Sequence, residues 1–250
     1  MPRRSPTALR RATGGWLLAG ALGLGLADLV AAAVLPDLAL AGGWLIYLLA
    51  AAWVAGNLHR HPHLRFGAGN AVSLLRLVVL CLLVTLLAGA RHGSWLALTL
   101  AILFLLLDGV DGYAARRDGT CSAFGARFDI ELDALFVLLA CGWLWWAGKA
   151  QAWVLLGGLP HYLFVCGRYW RPGWRRSLAP SRRRGTIGMV QAGVLAGCLV
   201  PITGPPLTTV ALGAALLLVA VSFWLDLWPL ARHGLNASAA GEPPAAARGL

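Results

Sequence analysis

The sequence predicts an all-α polytopic membrane protein: a six-helix transmembrane core with two extra transmembrane helices ahead of it. Three observations lead there. Of the 250 residues 59% are hydrophobic and only 12% charged, where a soluble domain carries about 25% charge. The apolar residues come in long blocks near the roughly 20 residues that a helix needs to cross a bilayer core, and only helices or closed barrels satisfy their backbone there. The arginines are also distributed unevenly. With the N-terminus inside, Arg3, Arg4, Arg10, Arg11, Arg60, Arg65, Arg116, Arg117, Arg168, Arg171, Arg175, Arg176, Arg182, Arg183, Arg184 and Arg232 fall on the inner side, and outer loops hold only Arg91 and Lys149. That is a positive-inside pattern and implies an even number of spans. The net charge of +11 then records topology and attraction to anionic headgroups, about 1 kcal/mol per basic residue near the surface, rather than a nucleic-acid partner.

Eight apolar blocks fall near 14–35, 38–58, 72–90, 94–113, 124–147, 151–168, 186–203 and 206–229. The basic start MPRRSPTALRR resembles the head of a signal peptide, but the apolar run behind it is too long and continues into a second span, which predicts a retained helix. Asp28 lies inside that first span and calls for a partner helix or a polar cavity. Next comes HRHPHLRFGAGN, a polar inner segment suited to lying along the membrane surface. His59, His61 and His63 alternate in it, but Pro62 interrupts any helix, so a surface role is expected of them rather than a metal site. The sixth span leads into an Arg-, Trp- and Pro-rich inner loop at 168–185. The Ala-, Gly-, Pro- and Ser-rich tail from 231 is expected to be disordered. The expected division is therefore 1–58 as a two-helix membrane extension, 59–230 as the six-helix core and 231–250 as the tail. Cys81, Cys121, Cys141, Cys166 and Cys198 form no C-x-x-C and read as small packing residues. Trp16, Trp95, Trp146, Trp170 and Trp228 lie toward span ends, as interfacial belts do.

The chemistry concentrates between the fourth and fifth spans, in DGVDGYAARRDGTCSAFGARFDIELD, residues 108–133. Asp108 and Asp111 are spaced i,i+3 and Asp129 and Asp133 i,i+4, so each pair shares a helix face. Glu131 should point away. Asp118-Gly119 is a turn signal, and two antiparallel helices joined there would bring the four carboxylates together near the inner interface. Converging carboxylates need cations, and hard divalent ions with oxygen ligands, Mg²⁺ or Mn²⁺, are the natural occupants. Two ions about 3.5–4 Å apart could clamp a diphosphate. Gly112 leaves room for close backbone approach, Arg116 is a planar fork suited to phosphate, and one carboxylate could serve as general base.

The pattern Asp108-x2-Asp111-Gly112-x2-Ala115-Arg116-x8-Gly125-x3-Asp129-x3-Asp133 resembles the complete signature of the CDP-alcohol phosphatidyltransferases. It covers about a tenth of the chain, and the six-span layout extends the resemblance to roughly 65–230. The resemblance implies displacement of CMP from a CDP-linked lipid or alcohol, with an acceptor hydroxyl attacking the β-phosphorus. It makes Asp108, Asp111 and Asp129 metal ligands, and Asp133 both a ligand of the second ion and the base. Gly112, Ala115, Arg116, Ser122 and Gly125 fall on the nucleotide side. Upstream, Asn70-x2-Ser73-x2-Arg76 resembles the N-x2-T-x2-R segment that helps enclose the nucleotide, with Ser73 for the commoner Thr.

For the acceptor, Arg168, Arg182, Arg183 and Arg184 are the candidates. The G-K-x-K-T-x2-Q pattern of phosphatidylglycerophosphate synthases is not kept: the chain has Arg184-Gly185-Thr186-Ile187-Gly188-Met189-Val190-Gln191. FGARFDIELDALFVLL resembles bacterial members with no assigned acceptor. The expectation is therefore a homodimeric enzyme of a bacterial cytoplasmic membrane, its site on the cytoplasmic side, that moves a phosphatidyl group from CDP-diacylglycerol to a hydroxyl. The alternative within the family pairs a soluble CDP-alcohol such as CDP-choline with a lipid acceptor. An alternative of another class is a divalent-cation transporter, but transporter sites lie near the midplane and these carboxylates cluster at one end.

Overall fold

The computed structural model describes residues 6–32, 37–63, 65–89, 93–170 and 182–239. Eight α-helices follow one another: α1 Pro6–Ala31, α2 Asp37–Asn57, α3 Ala68–Gly89, α4 Trp95–Arg117, α5 Ala123–Trp146, α6 Leu159–Trp170, α7 Arg182–Cys198 and α8 Pro205–Ala239. Short 3₁₀ turns stand at Leu58–Arg60 and Ala152–Gly157. There is no strand among the described residues. The chain is an all-helical, multi-pass membrane protein.

Helix α3 occupies the centre. Apart from Asn70, Ser73, Arg76 and Thr85 its sequence, AGNAVSLLRLVVLCLLVTLLAG, is apolar on every side, and a helix hydrophobic nearly all round is a buried one. It packs against α1, α2, α4 and α5. The outward residues of α1, among them Leu18, Leu22, Leu26 and Leu29, are exposed and face where lipid would be. Asp28 is buried, near Trp44 of α2 and Cys81 of α3. It sits among the first helices, its carboxylate oxygens buried without a hydrogen-bond partner among the described residues, and is not part of the carboxylate cluster.

Five helices hold segments long and apolar enough to cross a membrane: α1, α2, α3, α4 and α8. Helix α5 matches them in length, but Arg127, Asp129, Glu131 and Asp133 charge its first half. The apolar block at 151–168 is not one continuous helix. It is a 3₁₀ turn, a break at Gly158 and the 12-residue α6, about 18 Å long at 1.5 Å per residue. Gly158 explains the break, since a Cβ there would stand 2.8 Å from Leu138 Cα; the chain presses against α5 where only glycine fits. Helix α7 has 17 residues and opens on three arginines. At the other end α8 continues to Ala239, past the expected start of a disordered tail at 231, because its final turns are rich in the strong helix formers Ala, Leu and Arg. Residues 240–250 lie outside those described.

The end of the bundle away from the carboxylates is tied by Lys149. Its ammonium donates to the carbonyl of Cys198 at 3.1 Å, to that of Val200 and to Thr203 Oγ1 at 3.0 Å. The Thr208 hydroxyl donates back to the Lys149 carbonyl. A cation at the C-terminus of α7 answers both its unpaired carbonyls and its dipole. Trp143 Nε1, nearby, donates to Leu87 O at 2.7 Å, joining α5 to α3. All five cysteines are free; Cys81, Cys141 and Cys198 are buried, as a packing role expects, whereas Cys121 and Cys166 are exposed.

Candidate active site

The site begins with a close approach of α3 to α4. A Cβ on Gly69 would stand 2.7 Å from Ala115 Cβ, 3.0 Å from the Asp111 carbonyl oxygen and 3.1 Å from Ala115 Cα. Glycine on one helix and alanine on the other thus let the backbones meet, the small-residue contact by which helices pack closely in membranes. Gly67, at φ +83°, turns the chain into α3 against Thr120, and Ala68 N donates to Asp118 Oδ2 at 3.2 Å. Between α4 and α5, Asp118 caps one helix and Gly119 takes φ +63°. Ser122 caps the next, its hydroxyl accepting from Gly125 N at 3.0 Å. The turn predicted at Asp118-Gly119 is therefore present.

This framework aims four carboxylates at one side chain. Arg76 of α3 is wholly buried. Its Nη1 donates to Asp111 Oδ2 at 2.8 Å and to Asp129 Oδ1. Its Nη2 donates to Asp133 Oδ1 at 2.6 Å and forms an ion pair with Asp108 Oδ1 at 3.0 Å. The Ser73 hydroxyl lies 3.0 Å from Asp111 Oδ2. Asp108, Asp111 and Asp129 each offer an oxygen within 4.8 Å of the others. Side-chain exposure runs from 6% at Asp111 to 50% at Asp133, so Asp133 is the carboxylate most open to an incoming group. The cluster is built on three helices rather than two: α3 lies against both α4 and α5. Glu131 points away, to His161 Nε2 at 3.2 Å.

Beside the carboxylates is a cavity of about 200 Å³. It brings together Asn70, Ser73, Gly112, Ala115, Arg116, Ser122 and Gly125 with Asp111 and Asp129. The glycines make room: the Arg116 guanidinium folds to within 3.3 Å of where a Gly112 Cβ would be, and a Gly125 Cβ would meet Asn70 Oδ1 at 2.8 Å. Arg76 does not line this cavity; it faces the acids. Of the acceptor candidates, Arg183 Nη2 donates to Ser222 O at 3.4 Å, and neither Arg183 nor Arg184 is among the cavity residues. The side chains of Arg168 and Arg182 lie outside those described.

Sequence reasoning passed over Gly69 and Thr120, and it misplaced His61. His61 is buried rather than on the surface, because Pro62 and Gly67 turn the segment under the cavity, where His61 packs edge-on to Phe124 at 5.4 Å between ring centroids. Asn70 Nδ2 donates to Phe66 O and lies 2.9 Å from His61 Nε2. The His63 backbone N–H donates to the other ring nitrogen, Nδ1, at 3.2 Å, so both nitrogens of His61 are engaged inside the fold. Burial holds the His61 pKa below its usual value. The unfolded chain therefore binds a proton at higher pH than the folded one, and stability is full above about 6.5 and declines as pH falls below it. The unfolding temperature in detergent should drop between pH 7 and pH 5, and His61→Gln should flatten that slope.

Known proteins give a consistent comparison. The CDP-alcohol phosphatidyltransferase family model matches residues 67–235. The chain is similar to cholinephosphotransferase 1 of Mus musculus, 34% identical over 133 residues, which is 52% of this chain and 30% of the relative. It is similar to cholinephosphotransferase 1 of Rattus norvegicus at 34% over 134 residues, with the same shares. The match thus spans 30% of the length of these relatives. No solved structure matches.

Proposed function

Because the chain belongs to the CDP-alcohol phosphatidyltransferase family, we propose that it transfers a substituted phosphate group from a CDP-linked donor to a hydroxyl acceptor at the membrane surface, releasing CMP. The observation that carries this reading is the convergence of the Asp108, Asp111 and Asp129 oxygens within 4.8 Å, beside a cavity lined by Gly112, Arg116 and Gly125. The donor set also fits divalent cations: four carboxylates against one guanidinium leave three formal negative charges, all on hard oxygen ligands. Asp108, Asp111, Asp129 and Asp133 would hold two ions, Mg²⁺ or Mn²⁺, which when bound would neutralise a diphosphate and the charge on its transferring phosphoryl group.

The chain's own residues supply the rest. Gly112 and Gly125 let the nucleotide approach the backbone. Arg116 offers a planar pair of donors to a phosphate, with Asn70, Ser73 and Ser122 on the same wall. Asp133 takes the proton from the acceptor hydroxyl as its oxygen bonds to the β-phosphorus, and the bond from that phosphorus to CMP breaks, CMP leaving with the electron pair. Removing the guanidinium in Arg116→Ala should cost about 1.5–3 kcal/mol of donor binding, seen as a raised KM for the CDP-linked donor with kcat little changed.

The sequence reading takes CDP-diacylglycerol as donor and a polar hydroxyl compound as acceptor. The named relatives favour the second reading, a soluble CDP-alcohol with a lipid acceptor. The arginine distribution supports a cytoplasmic-side site, and the bacterial inner membrane and the homodimer rest on family resemblance. One experiment tests the function. The purified protein is given Mg²⁺ or Mn²⁺ and either CDP-diacylglycerol with a panel of polar alcohols or CDP-choline with diacylglycerol, and products are read by mass spectrometry. Acceptor-dependent CMP release that stops with chelator supports the proposal, and the productive arm identifies the donor. Cation flux into liposomes without nucleotide, and no CMP release in either arm, would replace it with the transporter.

A further inference from the structure

Arg76 holds the carboxylates in a particular way. Each of its two terminal nitrogens bridges one acid of α4 to one of α5: Nη1 joins Asp111 to Asp129, and Nη2 joins Asp108 to Asp133. One planar side chain on the central helix thereby links the acids of α4 to those of α5. The guanidinium is wholly buried, with Cζ 4.7 Å from the centre of the Phe104 ring. Phe104 in turn stacks on Phe136 at 4.9 Å. The Nε of Arg76 is buried with no hydrogen-bond partner, so the group is held by its terminal nitrogens and the ring alone.

We propose that Arg76 is an internal counter-cation that assembles the four carboxylates before any metal arrives, and that divalent ions bind by displacing its guanidinium from them. The proposal rests on the metal reading given above and adds a role for Arg76 apart from the nucleotide wall. The physical reason is competition for the same oxygens. A divalent ion of the Mg²⁺ kind needs carboxylate oxygens at about 2.0–2.1 Å, and Arg76 now sits among one oxygen of each acid. Without a resident cation, four carboxylates on two helices would repel one another and spread the site. With it the acids are already gathered, and loading exchanges one cation for others. The apparent metal affinity is then the intrinsic affinity multiplied by the fraction of molecules in which Arg76 has released the acids, a penalty that a substitution removes.

The test uses the full chain in detergent without nucleotide, with Mn²⁺ as the probe. Binding is followed by electron paramagnetic resonance or calorimetry, and unfolding temperature is measured in chelator and in Mn²⁺. Arg76→Met should unfold at lower temperature in chelator than wild type, regain stability as Mn²⁺ is added, and bind Mn²⁺ about tenfold tighter than wild type. Arg76→Lys keeps the positive charge, but a point charge on a flexible stem cannot span two cross-helix pairs at once. It should fold in chelator and also bind Mn²⁺ more tightly, which separates displacement from simple loss of charge. Should Arg76→Met fail to fold without metal, the lysine variant decides. Wild-type Mn²⁺ binding with no gain in Arg76→Lys would overturn the proposal and leave the metal reading standing. No Mn²⁺ binding by wild type or either variant would remove the metal reading, and this proposal with it.

Discussion

Asp133→Asn should lower turnover by about 10²–10⁴-fold, the usual contribution of a positioned general base, while the protein stays folded. The asparagine keeps an oxygen able to accept from Arg76 Nη2, which stands 2.6 Å from the native Asp133, so the helix-to-helix link survives. What disappears is the capacity to take a proton. Asp133 is the most exposed of the four acids, at 50%, and so the one best placed for an acceptor hydroxyl to reach. CMP release under saturating donor measures the loss, and circular dichroism with size-exclusion chromatography checks the fold. Undiminished turnover would sink the assignment of Asp133 as base.

Gly69→Ala should cost about 100-fold in kcat/KM, the scale expected when reacting groups are misplaced by about 1 Å. The added methyl would stand 2.7 Å from Ala115 Cβ and 3.0 Å from the Asp111 carbonyl oxygen. Two of its three nearest neighbours are backbone atoms, which cannot swing aside as a side-chain end can. Helices α3 and α4 must therefore separate, carrying Ser73 and Arg76 away from Asp111, and overpacking of this kind also costs about 1–3 kcal/mol of stability. Steady-state kinetics together with unfolding temperature measure both effects. Wild-type kinetics in Gly69→Ala would mean that the α3–α4 contact does not set the geometry of the site.

The helical class and the family were legible because both rest on local patterns. Long apolar blocks announce helices in lipid, and fixed spacings between Asp108 and Asp133 put each carboxylate pair on one helix face whatever else the chain does. The turn at Asp118-Gly119 and the cap at Ser122 are equally local, set by residues a few positions apart. Other features could not be read this way. The break at Gly158 follows from contact with Leu138 on another helix. The burial of His61 follows from where Pro62 and Gly67 send the chain.

Arg76 marks the boundary between the two kinds of knowledge. The resemblance of Asn70-x2-Ser73-x2-Arg76 to the family's N-x2-T-x2-R segment implied a residue on the nucleotide wall. Which partners it meets depends on the packing of that helix between two others, α4 and α5, 32 to 57 residues further along. Spacing along a helix is set by its 3.6-residue turn and is written in the chain. Which charges converge in a buried space is set by how helices pack, here by a glycine and an alanine that let α3 and α4 touch. The four acids and their spacing were therefore determined by the sequence alone, and the guanidinium that pairs with them was decided only by the tertiary fold.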